Sequence, residues 1–196
     1  MKQNFNLKKT FLITMIISLS ISALIGIFIL LFGDFGDTEW RILLTTLSIG
    51  GFSLTGLCCS VLYEKGKYIG LSFFGMASSI LGFLLSMLAT WEFVDFLILF
   101  DGLTVWGKLT LTLIIFAFSS AHACLVLLIN PEKSSVKYSL LATLLFIAIV
   151  ALMLVYLVLF VNGEPPEEFF RLLGVFAILN VLGTIVTPIL NKVYSI

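Results

Sequence analysis

Residues 140–161 read LLATLLFIAIVALMLVYLVLFV, and this run of 22 residues contains no charged side chain. An uncharged apolar run of 18 residues or more is typical of a transmembrane helix. Five further runs without Asp, Glu, Lys or Arg occupy residues 11–32, 42–63, 68–91, 109–130 and 172–190. Every backbone polar group in hydrocarbon must be paired within its own segment, which favours helices. The sequence therefore predicts an all-α, polytopic membrane protein with a bundle of six transmembrane helices.

Composition indicates the same class of protein. The 196 residues are 60% apolar and 11% charged, with a mean hydropathy of +1.18, whereas soluble domains are about one quarter charged. Six helices of about 20 residues nearly fill the length, so we expect a single domain over residues 1–196. A cleaved signal peptide is the alternative for residues 11–32, but that apolar run is longer than a signal core.

The basic residues predict the orientation. If the N-terminus is cytoplasmic, eight basic residues lie inside and only Arg41, Lys108 and Arg171 outside. Cytoplasmic loops carry the excess of Lys and Arg, so both termini are predicted inside, in the inner or plasma membrane of a bacterial cell. The eight inner residues are Lys2, Lys8, Lys9, Lys65, Lys67, Lys133, Lys137 and Lys192.

The second and fourth spans resemble each other. A shift of 66 positions aligns Trp40 with Trp106, Ser53 with Ser119 and Cys58 with Cys124. The sixth span begins in a similar way, so the chain is interpreted as three repeated helical hairpins in parallel arrangement. Residues 92–102 alternate acids and aromatics at helical spacing. They predict either an interfacial amphipathic helix or an extension of the third helix.

Small residues predict how the helices pack. Small side chains let membrane helices approach closely, and the third span has a stripe of them at 3–4 spacing. Together with small residues in the first two spans, the stripe favours helices one to three as the packed centre. The fifth span is almost purely aliphatic and aromatic, so we expect it to be the most exposed to lipid. The stripe comprises Ser72, Gly75, Ser79, Gly82 and Ser86.

Five polar residues form a candidate intramembrane site: Ser53, Ser119, His122, Asn180 and Thr184. An ionisable group at membrane depth, such as His122, is a functional hypothesis by default. The alternative is a neutral histidine hydrogen-bonded to a neighbour such as Ser119. Asn180 and Thr184 begin a polar stripe on the sixth helix, which could line a path or hold helices together.

Enzyme and cofactor sites are not expected. Cys58, Cys59 and Cys124 lack zinc-ligand spacing, and no phosphate loop, haem pair or nucleic-acid patch is present. Ser53 and His122 share only residue types with the rhomboid-type protease dyad, because the glycine after the serine is missing. We expect no enzyme, no metal, no cofactor and no nucleic-acid partner.

Two functional hypotheses remain. The first is a structural or accessory component that meets the lipid bilayer and binds a protein partner or a second copy of itself. The second is a small channel or transporter for a neutral or weakly polar solute, with a polar path through helices two, four and six. Polar groups that converge would favour transport, and polar groups paired off locally would favour packing.

Overall fold

The computed structural model describes residues 7–32, 36–92, 105–131, 133–161 and 165–194, and these residues form six helices. No strand occurs in these ranges, so the all-α prediction is confirmed for the described part of the chain. The predicted interfacial segment, residues 92–102, lies outside the described residues except for Glu92, which ends the third helix. The helices are α1 (Leu7–Phe32), α2 (Asp37–Glu64), α3 (Ile69–Glu92), α4 (Val105–Leu127), α5 (Ser134–Phe160) and α6 (Glu167–Tyr194).

Length and apolarity fit a membrane-embedded protein. Among the described helices, α2 to α6 are each long and apolar enough to cross a membrane. At 1.5 Å per residue, the 23 residues of α4 measure about 35 Å, more than the hydrocarbon thickness of about 30 Å. In α1 the corresponding apolar stretch is the shorter Leu19–Phe28.

Charged residues stabilise several helix ends. Acids lie in the first turns of α2 (Asp37, Glu39) and α6 (Glu167, Glu168), where the helix dipole favours negative charge. At the opposite end of neighbouring helices, Arg41 donates to the carbonyl of Trp91 at 3.3 Å. Such a cation gives a hydrogen-bond partner to a carbonyl at a helix C-terminus that has none within the helix.

The core lies among α2, α3, α4 and α5. Helix α2 packs against α1, α3 and α4, while α4 packs against α2, α3 and α5. The predicted centre of helices one to three leaves out α4, which packs against both α2 and α3, while α1 packs against α2. Helix α4 can do so because its buried face consists mostly of small residues (Gly, Ala, Ser, Thr and Cys), which permit close approach. The buried residues of that face include Ala117, Ser120, Ala121, Ala123 and Cys124.

The small-residue stripe of α3 is buried, as predicted. Ser72 and Ser79 are almost fully inaccessible. A Cβ on Gly75 would collide with Cys59 Sγ and lie 3.1 Å from Ser120 Cβ, so α2, α3 and α4 meet at this position. A Cβ on Gly82 would come within 2.7 Å of the Phe52 ring. The stripe therefore sets how closely α3 approaches both neighbours.

The expectation that α5 is the most lipid-exposed helix is wrong. Within its apolar stretch, α5 has 17% of its residues buried, whereas α6 has only 6%. Helix α5 packs against both α4 and α6, but α6 packs against α5 and touches α4 only slightly. Exposure therefore follows position in the bundle more than side-chain composition.

Candidate intramembrane polar site

His122 connects two helices. It lies on α4, half-buried, and its Nε2 is 2.9 Å from the hydroxyl of Thr184 on α6. This bond lies where α4 touches α6. The histidine therefore bonds across helices and not to Ser119 on its own helix, the partner considered from the sequence.

A second hydrogen bond of Thr184 determines which atom donates in the contact with His122. Thr184 Oγ1 also donates to the carbonyl of Asn180 at 2.8 Å, four residues earlier on α6. A hydroxyl has one proton, so a Thr184 that donates to Asn180 accepts from His122. The Nε2 atom then carries a proton and donates it to the Thr184 hydroxyl.

Asn180 lies beside this contact. Its side-chain Oδ1 is buried and has no hydrogen-bond partner among the described residues. Buried polar atoms without a partner are rare and call for an explanation such as a bound water or ligand. His122, Thr184 and Asn180 thus form one polar neighbourhood on α4 and α6.

The two serines lie on different helices. Ser53 is buried on α2, which packs against α1, α3 and α4, and Ser119 is half-buried on α4. Helix α6 packs on α5 and makes only slight contact with α4. The structure therefore brings three of the five candidate residues together and leaves Ser53 outside their neighbourhood.

A second polar contact joins α5 and α6; Thr187 belongs to the polar stripe predicted on the sixth helix, but its partners on α5 were not singled out from the sequence. Thr187 Oγ1 lies 2.9 Å from Ser139 Oγ and 3.1 Å from Thr143 Oγ1. Gly183 makes this approach possible, because a Cβ there would collide with the hydroxyl of Thr143. The i, i+4 pairs Ser139/Thr143 and Gly183/Thr187 were visible in the sequence and could have predicted two complementary faces.

A third polar contact joins α2 and α3. The hydroxyls of Thr55 and Ser79 are 2.8 Å apart, and Ser79 also bonds the Gly75 carbonyl. Cys59 and Cys124 are buried nearby in the same core, and both are free thiols. The described residues hold no group of three His, Cys, Asp or Glu side chains able to bind a metal ion.

This arrangement limits the chemistry of the site. The described partner of His122 is a hydroxyl and not a carboxylate. The contacts instead satisfy polar atoms pairwise between helices, which is how hydroxyl and imidazole groups hold membrane helices together.

Comparison with models of protein families, with curated proteins and with solved structures found no match to this chain.

Proposed function

We propose that this chain is a multi-pass membrane protein that acts as a structural or accessory component through lateral packing with a protein partner or a second copy. In this proposal it crosses the membrane six times, with α1 as the first span and both termini in the cytoplasm of a bacterial cell. Eight of its 11 basic residues then lie inside, as the positive-inside rule requires. The proposal includes no enzymatic activity, cofactor or nucleic acid.

The pairing of the intramembrane polar groups carries the proposal. Contacts between α2 and α3, between α4 and α6, and between α5 and α6 each join hydroxyl or imidazole groups of two helices. Other hydroxyls bond the carbonyl four residues earlier, as Thr110 and Thr112 do. Polar groups paired in this way hold membrane helices together.

The exposed face of α6 is the surface that we assign to the partner. Five aliphatic side chains recur at spacings of three and four residues, and each is more than half exposed. This spacing presents one continuous stripe to a parallel or antiparallel helix. The residues are Val175, Ile178, Leu182, Ile185 and Ile189.

Native mass spectrometry of the full chain, extracted from its membrane in mild detergent, tests the proposal. We expect a complex with a partner protein or a homo-oligomer. Ile178→Trp, at the middle of the stripe, should reduce the assembled fraction, because a bulky ring would separate the two helices. Leu152→Trp on α5 is the matched control, since Leu152 is 64% exposed and Ile178 is 70% exposed.

Three results would contradict the proposal. A protein that stays monomeric at all extraction conditions would remove the accessory role. Equal losses of assembly from Ile178→Trp and Leu152→Trp would remove the α6 surface. No loss from either variant would also exclude α6 as the contact.

Transport of a small neutral or weakly polar solute is the second candidate function. The observation that favours it is the buried Oδ1 of Asn180, which has no partner among the described residues, one helical turn before the Thr184 that bonds His122. Flux of small neutral solutes into proteoliposomes is its test, and Asn180→Leu should abolish that flux. Thr90→Val is the control, because Thr90 bonds only the Ser86 carbonyl of its own helix. An Asn180→Leu variant with altered stability and unchanged flux would exclude this function.

A further inference from the structure

A cavity opens on the face of the molecule that carries the α2–α3 turn and the α4–α5 connection. Its volume is about 330 Å³. The cavity lies where the two connections approach each other, at the ends of α2 and α4 and the starts of α3 and α5. Its lining includes Lys67, Tyr68, Leu127, Asn130, Pro131 and Leu140.

The polar side of the cavity is formed by Lys67, whose side chain is hydrogen-bonded to Asn130. The ammonium of Lys67 donates a hydrogen bond to the Asn130 side-chain oxygen, which joins the two connections. An ammonium group has three protons, so this bond leaves two for another acceptor. The surrounding segments 64–68 and 131–137 contain four lysines and two glutamates, and their excess positive charge attracts anions.

The deep side of the cavity is apolar. Leu127 ends α4 and Leu140 lies on α5, and both are at least nine-tenths buried. Both lie on helices that are long and apolar enough to cross a membrane, so the cavity has apolar walls next to its charged rim. A cation at the mouth with aliphatic walls beneath it matches an anionic group that carries an apolar chain.

Backbone conformation on the rim gives independent support. Tyr68 has φ +49°, the only positive φ of a non-glycine residue in the described chain, and Gly66 has φ +66°. A left-handed tyrosine is strained, and such strain collects at binding sites. The Tyr68 ring lines the cavity although it is 60% exposed, so burial does not explain its conformation.

We propose that this cavity binds the phosphate of an anionic phospholipid, with Lys67 as the phosphate ligand and Leu127 and Leu140 against the acyl chain. The shared chemistry is a phosphate anion, and the source that the apolar walls favour is a lipid and not free phosphate. The inference depends on the membrane embedding of α3 to α5 and not on the accessory role of the protein.

Native mass spectrometry of the full chain with added lipids tests the inference. We expect phosphatidylglycerol to stay bound at collision energies that release phosphatidylcholine. Lys67→Gln should lower the affinity for phosphatidylglycerol by about tenfold, the loss expected for one charge-assisted hydrogen bond. Lys65→Gln is the matched control, because it removes the same charge from the same turn but Lys65 does not line the cavity.

A second variant separates binding from folding. Tyr68→Gly relieves the left-handed strain, so it should leave the melting temperature unchanged or raise it. The same substitution removes a side chain from the lining of the cavity, so it should weaken phosphatidylglycerol binding. Lys67 is exposed, and we expect Lys67→Gln to fold like the native protein, with an unchanged melting temperature.

Three outcomes would overturn the inference. Equal losses for Lys65→Gln and Lys67→Gln would reduce the effect to diffuse surface charge. Equal retention of both lipids would exclude recognition of the anionic headgroup. Stabilisation by inorganic phosphate that depends on Lys67, without phosphatidylglycerol binding, would identify a free anion as the ligand and exclude the lipid.

Discussion

Individual hydroxyl groups in this protein have two kinds of partner. Thr46 and Thr90 bond carbonyls of their own helix, a contact that any helical threonine can make. Thr55, Thr184 and Thr187 also meet a polar side chain on another helix. The cross-helix bonds hold the bundle together, because in hydrocarbon a separated pair has no water to replace the lost partner.

The bond between His122 and Thr184 should contribute measurably to stability. We expect a double-mutant cycle of His122→Leu and Thr184→Val to give a coupling energy of about 0.6 to 1.7 kcal/mol, the usual range for hydrogen bonds between membrane helices. Unfolding in mixed detergent and dodecyl sulfate micelles measures it.

The control cycle pairs His122→Leu with Thr90→Val. Thr90 bonds Ser86 within α3, so the two changes should be additive within about 0.5 kcal/mol. A coupling of zero between His122 and Thr184, or an equal coupling in both cycles, would contradict the bond.

At the scale of the single helix, the glycines of α3 differ in how closely other helices approach them. Gly75 faces Cys59 and Ser120 at the contact of three helices, whereas Gly70, one turn nearer the start of α3, has no heavy atom within 4 Å of its would-be Cβ. The sequence predicts the stripe that contains Gly75, since its spacing is helical. It does not reveal which partner helix the stripe meets, because apolar helices offer many similar faces.

Alanine substitutions should separate the two glycines. Gly75→Ala should lower the free energy of unfolding by about 1–3 kcal/mol, because a methyl group there forces α2, α3 and α4 apart. Gly70→Ala, the matched control, should be neutral or stabilising by up to about 1 kcal/mol, because alanine favours the helix.

Unfolding of both variants in mixed micelles is the measurement. Equal effects of the two substitutions would mean that α3 does not pack through this stripe.

At the scale of the whole molecule, each helix packs against the next one along the chain. Arg41 near the start of α2 bonds the carbonyl of Trp91, the last residue but one of α3, and Lys108 near the start of α4 bonds the Leu159 carbonyl near the end of α5. Each cation thus lies near the start of the second helix of one predicted hairpin and bonds a carbonyl near the end of the first helix of the next. This recurrence agrees with the three-hairpin hypothesis, which stays a prediction.

Labelling of single cysteines should establish the orientation. We expect Ser135→Cys, in the basic α4–α5 region, to react with a membrane-impermeant maleimide only after the cell membrane is opened. Thr38→Cys, at the acidic start of α2, should react in intact cells, because the eight-to-three distribution of basic residues places that side outside.

Both residues are exposed, which makes them comparable reporters, and the native cysteines are replaced by alanine in both variants. The opposite labelling pattern would reverse the topology. Labelling of both positions in intact cells would contradict two-sided placement.

The sequence by itself determined the all-helical fold and the approximate helix boundaries. Charge-free apolar runs have a low free energy in hydrocarbon only as helices, and no tertiary contact is needed for that. The buried stripe of α3 also followed from local spacing. Only the tertiary structure decided that α4 packs with α2 and α3, that α6 is more exposed than α5, and that His122 meets Thr184 while Ser53 lies apart. These outcomes depend on which apolar faces meet, and faces of nearly equal apolarity differ only in how small residues and hydroxyls of two helices fit together.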